Sequence, residues 1–286
     1  MHIHAYLIVI YNESVFESST FKSLLTLLQE RPHAAAVYLW DNSPTPQHQV
    51  SEFDLIRTCE IKYLYYGVNE KLSTVYNRVI ELALVDNCEF ISILDQDSVL
   101  PLDFKDKIDA IENPKLVVPT VYSSSSGLII SPRYQKYNYL TNSCIIRAVD
   151  ISKVEGSLAS NEFFAVGSGM TISRTLWDTG IRFNESLSFY GVDTEFCNDY
   201  AEKFNSFNII KCNFQHDASG ENDEDFAKFK WRLSRYFEHW NFSLVEKLGW
   251  NIFLAKIYIM IFKTVLLTKS YVKKRIVNKF IGIIYK

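Results

Sequence analysis

Neither Gly-x-Gly-x-x-Gly nor Gly-x-x-x-x-Gly-Lys-[Ser/Thr] occurs in the 286 residues, which excludes both the dinucleotide fingerprint and the P-loop. The five cysteines (Cys59, Cys88, Cys144, Cys197 and Cys212) are odd in number, scattered and without metal spacing. They exclude a disulfide framework and fit a reduced cytosolic setting. The chain enters an apolar strand at once, without a basic n-region and cleavage site, so no signal peptide is expected. Lys256 and Lys263 interrupt the most apolar segment, Ile252 to Leu267, and no apolar run reaches the ~18 residues of a spanning helix. Acid is missing from one region altogether. After Glu246 there are nine Lys or Arg and no Asp or Glu, which leaves 21 basic against 33 acidic groups in residues 1–246. An acidic body argues against a nucleic-acid-binding core. A basic, apolar tail points to an anionic surface, most simply the inner face of a membrane.

What is present belongs to a folded globular protein. Hydrophobic residues make up 48% and charged residues 22%, with 17 Tyr and 20 Phe, enough for one large core or two fused lobes. Ala5–Ile10 reads as a strand that ends in Asn12 and Glu13. Phe21, Leu24, Leu25 and Leu28 then recur at helical spacing up to Pro32. Val37–Trp40 is a second strand closed by Asp41-Asn-Ser-Pro44, and Ile61–Tyr66 a third closed by Gly67. Leu72, Val75, Tyr76, Val79 and Ala83 mark a second helix, and Phe90–Leu94 a fourth strand. Alternation of this kind predicts βαβ units around a mixed, largely parallel sheet flanked by helices: an α/β fold.

The fourth strand runs straight into Asp95-Gln-Asp97-Ser98. Taken alone, Asp-x-Asp is more often a solvated turn or a helix cap. Here it lies at the C-terminal end of a buried strand, where open α/β sheets bind ligands. Hard divalent cations take one or two carboxylates plus the phosphates of a substrate. Asn12 and Glu13, Asp41 and Asn42, and Asp95 and Asp97 all fall on the same predicted edge, which favours a nucleotide crevice.

Further along, Leu116–Val121 is expected as a strand, with Pro119 pushing it towards an edge. Ser131 to Asn142, rich in Tyr and basic residues, is expected to be mobile. Phe163 to Ser173 reads as strand, Gly167-Ser168-Gly169 turn, strand. Asp193 begins an amphipathic helix carrying Phe196, Tyr200 and Phe204. A carboxylate there is ordinarily an N-terminal helix acid. Beside a crevice it can instead accept a proton from a hydroxyl, provided burial keeps it basic. Phe207–Cys212 reads as the last strand, and His216 comes after it in a loop, where an imidazole can join carboxylates around Mn²⁺. The acidic link 221–225 closes the body. Beyond it comes an aromatic, basic and amphipathic tail with Lys256, Lys263 and Lys274 on one helical face and Lys269 and Lys273 off it, suited to a membrane interface.

In order, Val9-Ile-Tyr-Asn12, Trp40-Asp-Asn-Ser43, Asn69 with Asn77, Leu94-Asp-Gln-Asp-Ser98, Gly167-Ser-Gly169, Tyr190-Gly-Val-Asp-Thr-Glu195 and His216 resemble the motif series of the family 2 glycosyltransferases, over roughly residues 4–245. The Asp-Gln-Asp-Ser form is similar to that of rhamnosyltransferases. Two positions depart from the pattern: Lys71 stands where glycine is usual, and Val192 where the first acid of a Glu-Asp pair is usual. The resemblance implies a GT-A fold over residues 1–225, with a donor half to residue 98, an acceptor half from 99, and a membrane-associating tail over 226–286. It implies inverting transfer of a sugar, rhamnose among the candidates, from a nucleotide-diphosphate sugar to a lipid-linked or growing bacterial surface polysaccharide. Asp193 would be the base. Asp97 and His216, with Asp95, would hold Mn²⁺ or Mg²⁺. Asn12, Glu13, Asp41, Asn69, Asn77, Asp95 and Gly169 would contact substrates. Three other readings stay open: a metal-dependent nucleotidyltransferase or pyrophosphatase, a non-catalytic sugar-nucleotide binder, and a membrane scaffold.

Overall fold

The computed structural model describes residues 3–141, 143–149, 156–217 and 226–284. The chain divides into two compact units, Met1–Lys136 with Ile145–Asn222, and Tyr137–Cys144 with Asp223–Lys286. The acidic link 221–225 lies outside the described residues.

The first unit opens with β1 (Ile3–Ile10), α1 (Ser19–Glu30), β2 (Ala35–Asp41), β3 (Glu60–Tyr65), α2 (Leu72–Val85) and β4 (Cys88–Asp95). β1 pairs in parallel with both β2 and β4, and β2 with β3. These strands are apolar on both faces because helices cover both sides of a parallel sheet. α1 starts where Ser18 Oγ accepts from Phe21 N, and it buries Phe21, Leu24, Leu27 and Leu28. α2 buries Val75, Tyr76, Val79, Ile80 and Ala83. Both helical faces match the spacing read from sequence.

The sheet continues through β5 (Ser98–Val99), β6 (Leu116–Ser123), β7 (Ile129–Ser131), β10 (Gly156–Ala159), β12 (Thr171–Ser173) and β13 (Ser206–His216). Its order is β10-β13-β6-β12-β4-β1-β2-β3, with β5 on β13 and β7 on β6, ten strands in all. The result is a mixed, largely parallel α/β sheet flanked by helices. A second, three-stranded sheet takes β8 (Arg133–Asn138), β9 (Ser143–Ala148) and β11 (Phe163–Phe164) in the order β11-β8-β9. The remaining helices of this unit are α3 (Phe104–Asp109), α4 (Arg174–Trp177) and α5 (Val192–Lys203).

Two expectations change, those for Pro119 and for His216. β6 is an interior strand, not an edge. Its pairing with β12 stops at Val117, and its register with β13 shifts between Ile210 and Phe214, so the missing N–H of Pro119 falls where the ladders are interrupted. Residues 133–138 form β8 of the three-stranded sheet. β11 and β12, the two strands read on either side of the Gly167-Ser168-Gly169 turn, belong to different sheets. β13 runs on to His216, which therefore ends a strand.

The second unit contains α6 (Phe226–Phe242), a π-helical turn (Ser243–Lys247) and α7 (Ile252–Ile284). Phe237, Trp240, Leu244, Ala255 and Ile259 form its core. Trp240 Nε1 donates to Tyr139 O (2.7 Å), and Tyr258 Oη to Leu140 O (3.0 Å).

Candidate active site

The register Val9↔Asp95 and Ile10↔Asp41 puts the ends of β1, β2 and β4 on one edge of the sheet. The turn after β4 is held from α1. Ser18 Oγ donates to Gln96 O (2.6 Å), and Thr20 Oγ1 accepts from Ser98 N (2.8 Å) within reach of the Asp95 and Ser98 carbonyls. Gln96 is turned towards the β1 loop. Its Oε1 accepts from Tyr11 N (2.8 Å), and its Nε2 donates to Glu13 Oε2 (2.6 Å). With the middle residue tied back, Asp95 and Asp97 are left to face a common partner.

That partner is His216. β5 pairs antiparallel with β13 in the register Ser98↔His216, which places the imidazole against the turn. His216 Nδ1 lies 3.2 Å from Asp97 Oδ1, and Nε2 lies 3.8 Å from Asp95 Oδ2. One ligand atom from each of the three residues falls within 4.8 Å of the others. Ser98 Oγ sits 3.1 Å from His216 Nδ1 and 2.7 Å from Ser168 Oγ, and Ser168 Oγ accepts from Asp95 N (3.1 Å). Burial opposes a charge on His216. The hydrogen bond to Asp97 and the charges of Asp95, Asp97 and Asp217 outweigh it and raise its pKa to about 9. Burial raises the Asp95 pKa, against the pull of His216, and Asp97 adds to the rise. A metal there would displace the His216 proton, since only the neutral imidazole is a ligand. Two oxygens and one imidazole nitrogen form a donor set that fits Mn²⁺ better than Mg²⁺, which favours oxygen alone.

Asp193 lies in the first turn of α5. Gly191 precedes that helix with φ 84°, a backbone shape open to glycine. Gly167 N donates to Asp193 Oδ2 (2.9 Å), and a Cβ on Gly167 would stand 2.9 Å from Oδ1. The carboxylate therefore needs glycine at 167. Burial, then the charge of Asp95, push the Asp193 pKa up to about 7, although the Gly167 hydrogen bond and His216 pull the other way. A helix N-terminus would favour the ionised form, and burial prevails. The carboxyl is thereby poised for proton transfer near neutral pH. Val192 is buried, so the position where an acid is usual is filled by the core. Lys71 N-caps α2 without a side-chain cap, and its Nζ reaches Glu185 O (2.8 Å).

Several expected substrate contacts have other partners. Asp41 is fully buried and accepts from Ser43 N (3.0 Å), Gln47 N (2.7 Å) and Tyr63 Oη. It organises its own loop. Asn77 donates to Phe183 O and Glu185 Oε1 and accepts from Phe183 N, each at 2.9 Å, which staples α2 to the 183–185 segment. Gly169 has φ 87°, and a Cβ there would lie 2.5 Å from Pro119 Cγ. It is a packing position behind the site. Asn69 Oδ1 accepts from Asn42 Nδ2 (2.9 Å) on an exposed loop. Asn12 stays exposed at φ 52°, with its N–H on Ser43 Oγ (2.7 Å), and Glu13 is held by Gln96. Gly167, Ser168, Gln96 and Ser98 lie inside the motifs read from sequence, but no role in the site was assigned to them there.

No family model and no curated protein sequence matches the chain. Among solved structures it is similar to S. aureus TarS 1–349 in complex with UDP-GlcNAc, at 16% identity and TM-score 0.51, covering 87% of this chain and 72% of that one. Another structure of TarS 1–349 gives 14% identity, TM-score 0.48 and coverage of 86% and 73%. A longer TarS structure gives 15%, 0.49 and 85%, and this chain spans only 45% of its length. The fold is therefore the mixed α/β fold of that TarS structure.

Proposed function

We propose that the chain is an inverting glycosyltransferase that moves a sugar from a nucleotide-diphosphate sugar to a hydroxyl of a lipid-linked or growing bacterial surface polysaccharide. The observation that carries this reading is geometric: the Asp193 carboxylate is held by Gly167 N–H (2.9 Å), close enough to the Asp95–Asp97–His216 cluster for the charges of Asp95 and His216 to act on it. The TarS structure with UDP-GlcNAc supports a nucleotide-diphosphate sugar as donor. Rhamnose is the sugar favoured by the Asp-Gln-Asp-Ser form.

Asp193 takes the proton of the acceptor hydroxyl as its oxygen bonds to the anomeric carbon. The bond from that carbon to the diphosphate breaks on the opposite face, so configuration inverts. Gly167 N–H fixes the carboxylate that receives the proton, and a local site of low polarity keeps it basic. Asp95, Asp97 and His216 would hold Mn²⁺, whose charge, when bound, would stabilise the departing diphosphate. Ser98 and Ser168 fix the imidazole and the Asp95 backbone around that site. The C-terminal helices would carry the enzyme to the inner face of the membrane, where lipid-linked acceptors lie.

The test is a thermal-shift screen of UDP, dTDP and GDP with and without Mn²⁺, then a transfer assay with the matching sugar nucleotides. Metal-dependent stabilisation by one nucleotide and sugar transfer are expected. Release of nucleotide monophosphate without transfer would favour a nucleotidyltransferase or pyrophosphatase. Binding without turnover would make the chain a sugar-nucleotide binder.

A further inference from the structure

The second unit has two kinds of apolar surface. Ala255 and Ile259 of α7 are buried with Phe237, Trp240 and Leu244, and Phe262 meets Trp240 edge-on at 5.2 Å between ring centroids. Phe253, Ile257, Met260, Ile261 and Val265 recur at i, i+4, i+7, i+8 and i+12, on the side opposite Ala255 and Ile259. All five are exposed, Phe253 by 68% and Met260 by 61%. Leu254 adds a further 58% exposed side chain at the margin. The stripe runs for about 20 Å at 1.5 Å per residue. A continuous apolar face of this length marks an interaction site.

The cations lie elsewhere than a simple basic face would require. Lys263 is turned to the packed side, where its Nζ donates to Ser234 Oγ (2.9 Å). Lys256 stands exposed at the edge of the stripe. In sequence the stripe is succeeded by Lys269, Lys273, Lys274, Arg275, Lys279 and Lys286, with no acid anywhere after Glu246. Two copies of this helix meeting on the stripe in parallel would bring cations together with no carboxylate from the segment to neutralise them. An anionic lipid surface supplies both what the stripe needs, an apolar phase, and what its continuation needs, fixed negative charge. No helix among the described residues is long and apolar enough to cross a membrane, so the matching geometry is a helix lying in the interface.

We propose that the stripe Phe253, Ile257, Met260, Ile261 and Val265 of α7 seats in the acyl–headgroup boundary of an anionic bilayer, with the cation-rich continuation of the chain among the headgroups. The inference rests on the membrane-surface part of the proposed function and not on sugar transfer, so either can fail while the other stands.

The test is co-sedimentation of the full chain with vesicles of phosphatidylcholine plus phosphatidylglycerol, and with phosphatidylcholine alone. The wild type binds the anionic vesicles and releases them in high salt. Ile257→Glu combined with Ile261→Glu lowers the vesicle-bound affinity by at least about tenfold, because carboxylates are driven into the boundary. Nucleotide-dependent thermal stabilisation, which reads the first unit, is unchanged. Should that pair fail to melt cooperatively, Ile257→Ser with Ile261→Ser gives the same direction at smaller size. Wild-type binding by a folded variant overturns the assignment. So does a wild type that ignores vesicles and forms a dimer in light scattering which the variant makes monomeric, since a second copy then covers the stripe.

Discussion

Asp41 and Asp95 end neighbouring stretches of the same sheet edge, each after a buried apolar strand, and they have opposite surroundings. Asp41 is closed in: two backbone N–H groups of its own turn and the Tyr63 hydroxyl take up its oxygens. Asp95 has a side chain 36% exposed, and Asp97 one 44% exposed. Their nearest charged neighbour is His216, brought from more than a hundred residues away by β13. The difference lies in the turn that each acid opens. Asn-Ser-Pro after Asp41 folds back and offers donors to the carboxylate within six residues, as Asx-type turns do. After Asp95 the Gln96 side chain turns away to Glu13 and Tyr11, and the local N–H donors go to hydroxyls of other elements, Asp95 N to Ser168 Oγ and Ser98 N to Thr20 Oγ1. An acid at a strand end is available for chemistry only when its own turn leaves it unsatisfied.

The largest effect expected on this contrast is catalytic. Asp193→Asn keeps an oxygen for the Gly167 N–H and removes the base, so kcat falls about 10²- to 10⁴-fold with the fold intact. Steady-state transfer kinetics and circular dichroism on one preparation check it. Next in size is a direct exchange of roles between the two strand ends. Asp41→Ala leaves three donors without their acceptor in a buried loop and costs about 2–4 kcal/mol of stability by chemical denaturation. Asp97→Ala changes stability by about 0.5 kcal/mol or less and abolishes the Mn²⁺-dependent part of nucleotide stabilisation. A stable Asp41→Ala that loses nucleotide binding would break the comparison.

The donor half was legible because each strand there is a short apolar run bounded by turn residues, and each helix has a clean 3.6-residue face. The later half resisted for physical reasons. Pro119 sits inside the sheet because two ladders lapse around it, a tertiary fact that no local pattern encodes. β11 and β12 read as two strands around a glycine turn, and their partners, β8 on one side and β4 with β6 on the other, lie far apart in sequence. In the site, Asp95 and Asp97 could be named from a strand end, Asp193 from a helix start and His216 from a loop after a strand. Whether Asn77 or Asp41 served substrate or scaffold depended on where residues 183–185 and Tyr63 would come to rest. Polar side chains advertise hydrogen-bonding capacity in sequence, and only the fold decides who uses it.

The same division between chemistry and scaffold recurs within Gly167-Ser168-Gly169, three residues long. At Gly167 an added Cβ meets the Asp193 carboxylate, and at Gly169 it meets Pro119 at 2.5 Å on a backbone of φ 87°. Gly167→Ala is therefore expected to lower kcat about tenfold by displacing the base, with little change in melting temperature. Gly169→Ala destabilises the fold by about 1–3 kcal/mol. Equal melting temperatures for the two variants would show that the loop makes no such distinction.

The most specific effect reads the proton on Asp193 without any substrate. The folded carboxyl has a pKa raised to about 7 from an ordinary value of 3.8. Between those two pH values the folded chain holds a proton that the unfolded chain has released. Stability rises with pH only where the unfolded state binds more protons, so here it falls. The contribution of Asp193 is fully present below the unfolded pKa and is lost as pH rises through about 7. Asp193→Asn carries no such titration. The melting temperature of the variant minus that of the wild type should therefore climb from pH 4 to pH 7 and then level off. A carboxylate that stays ionised throughout, as a solvated helix cap would, gives a flat difference and removes the reason for making Asp193 a base.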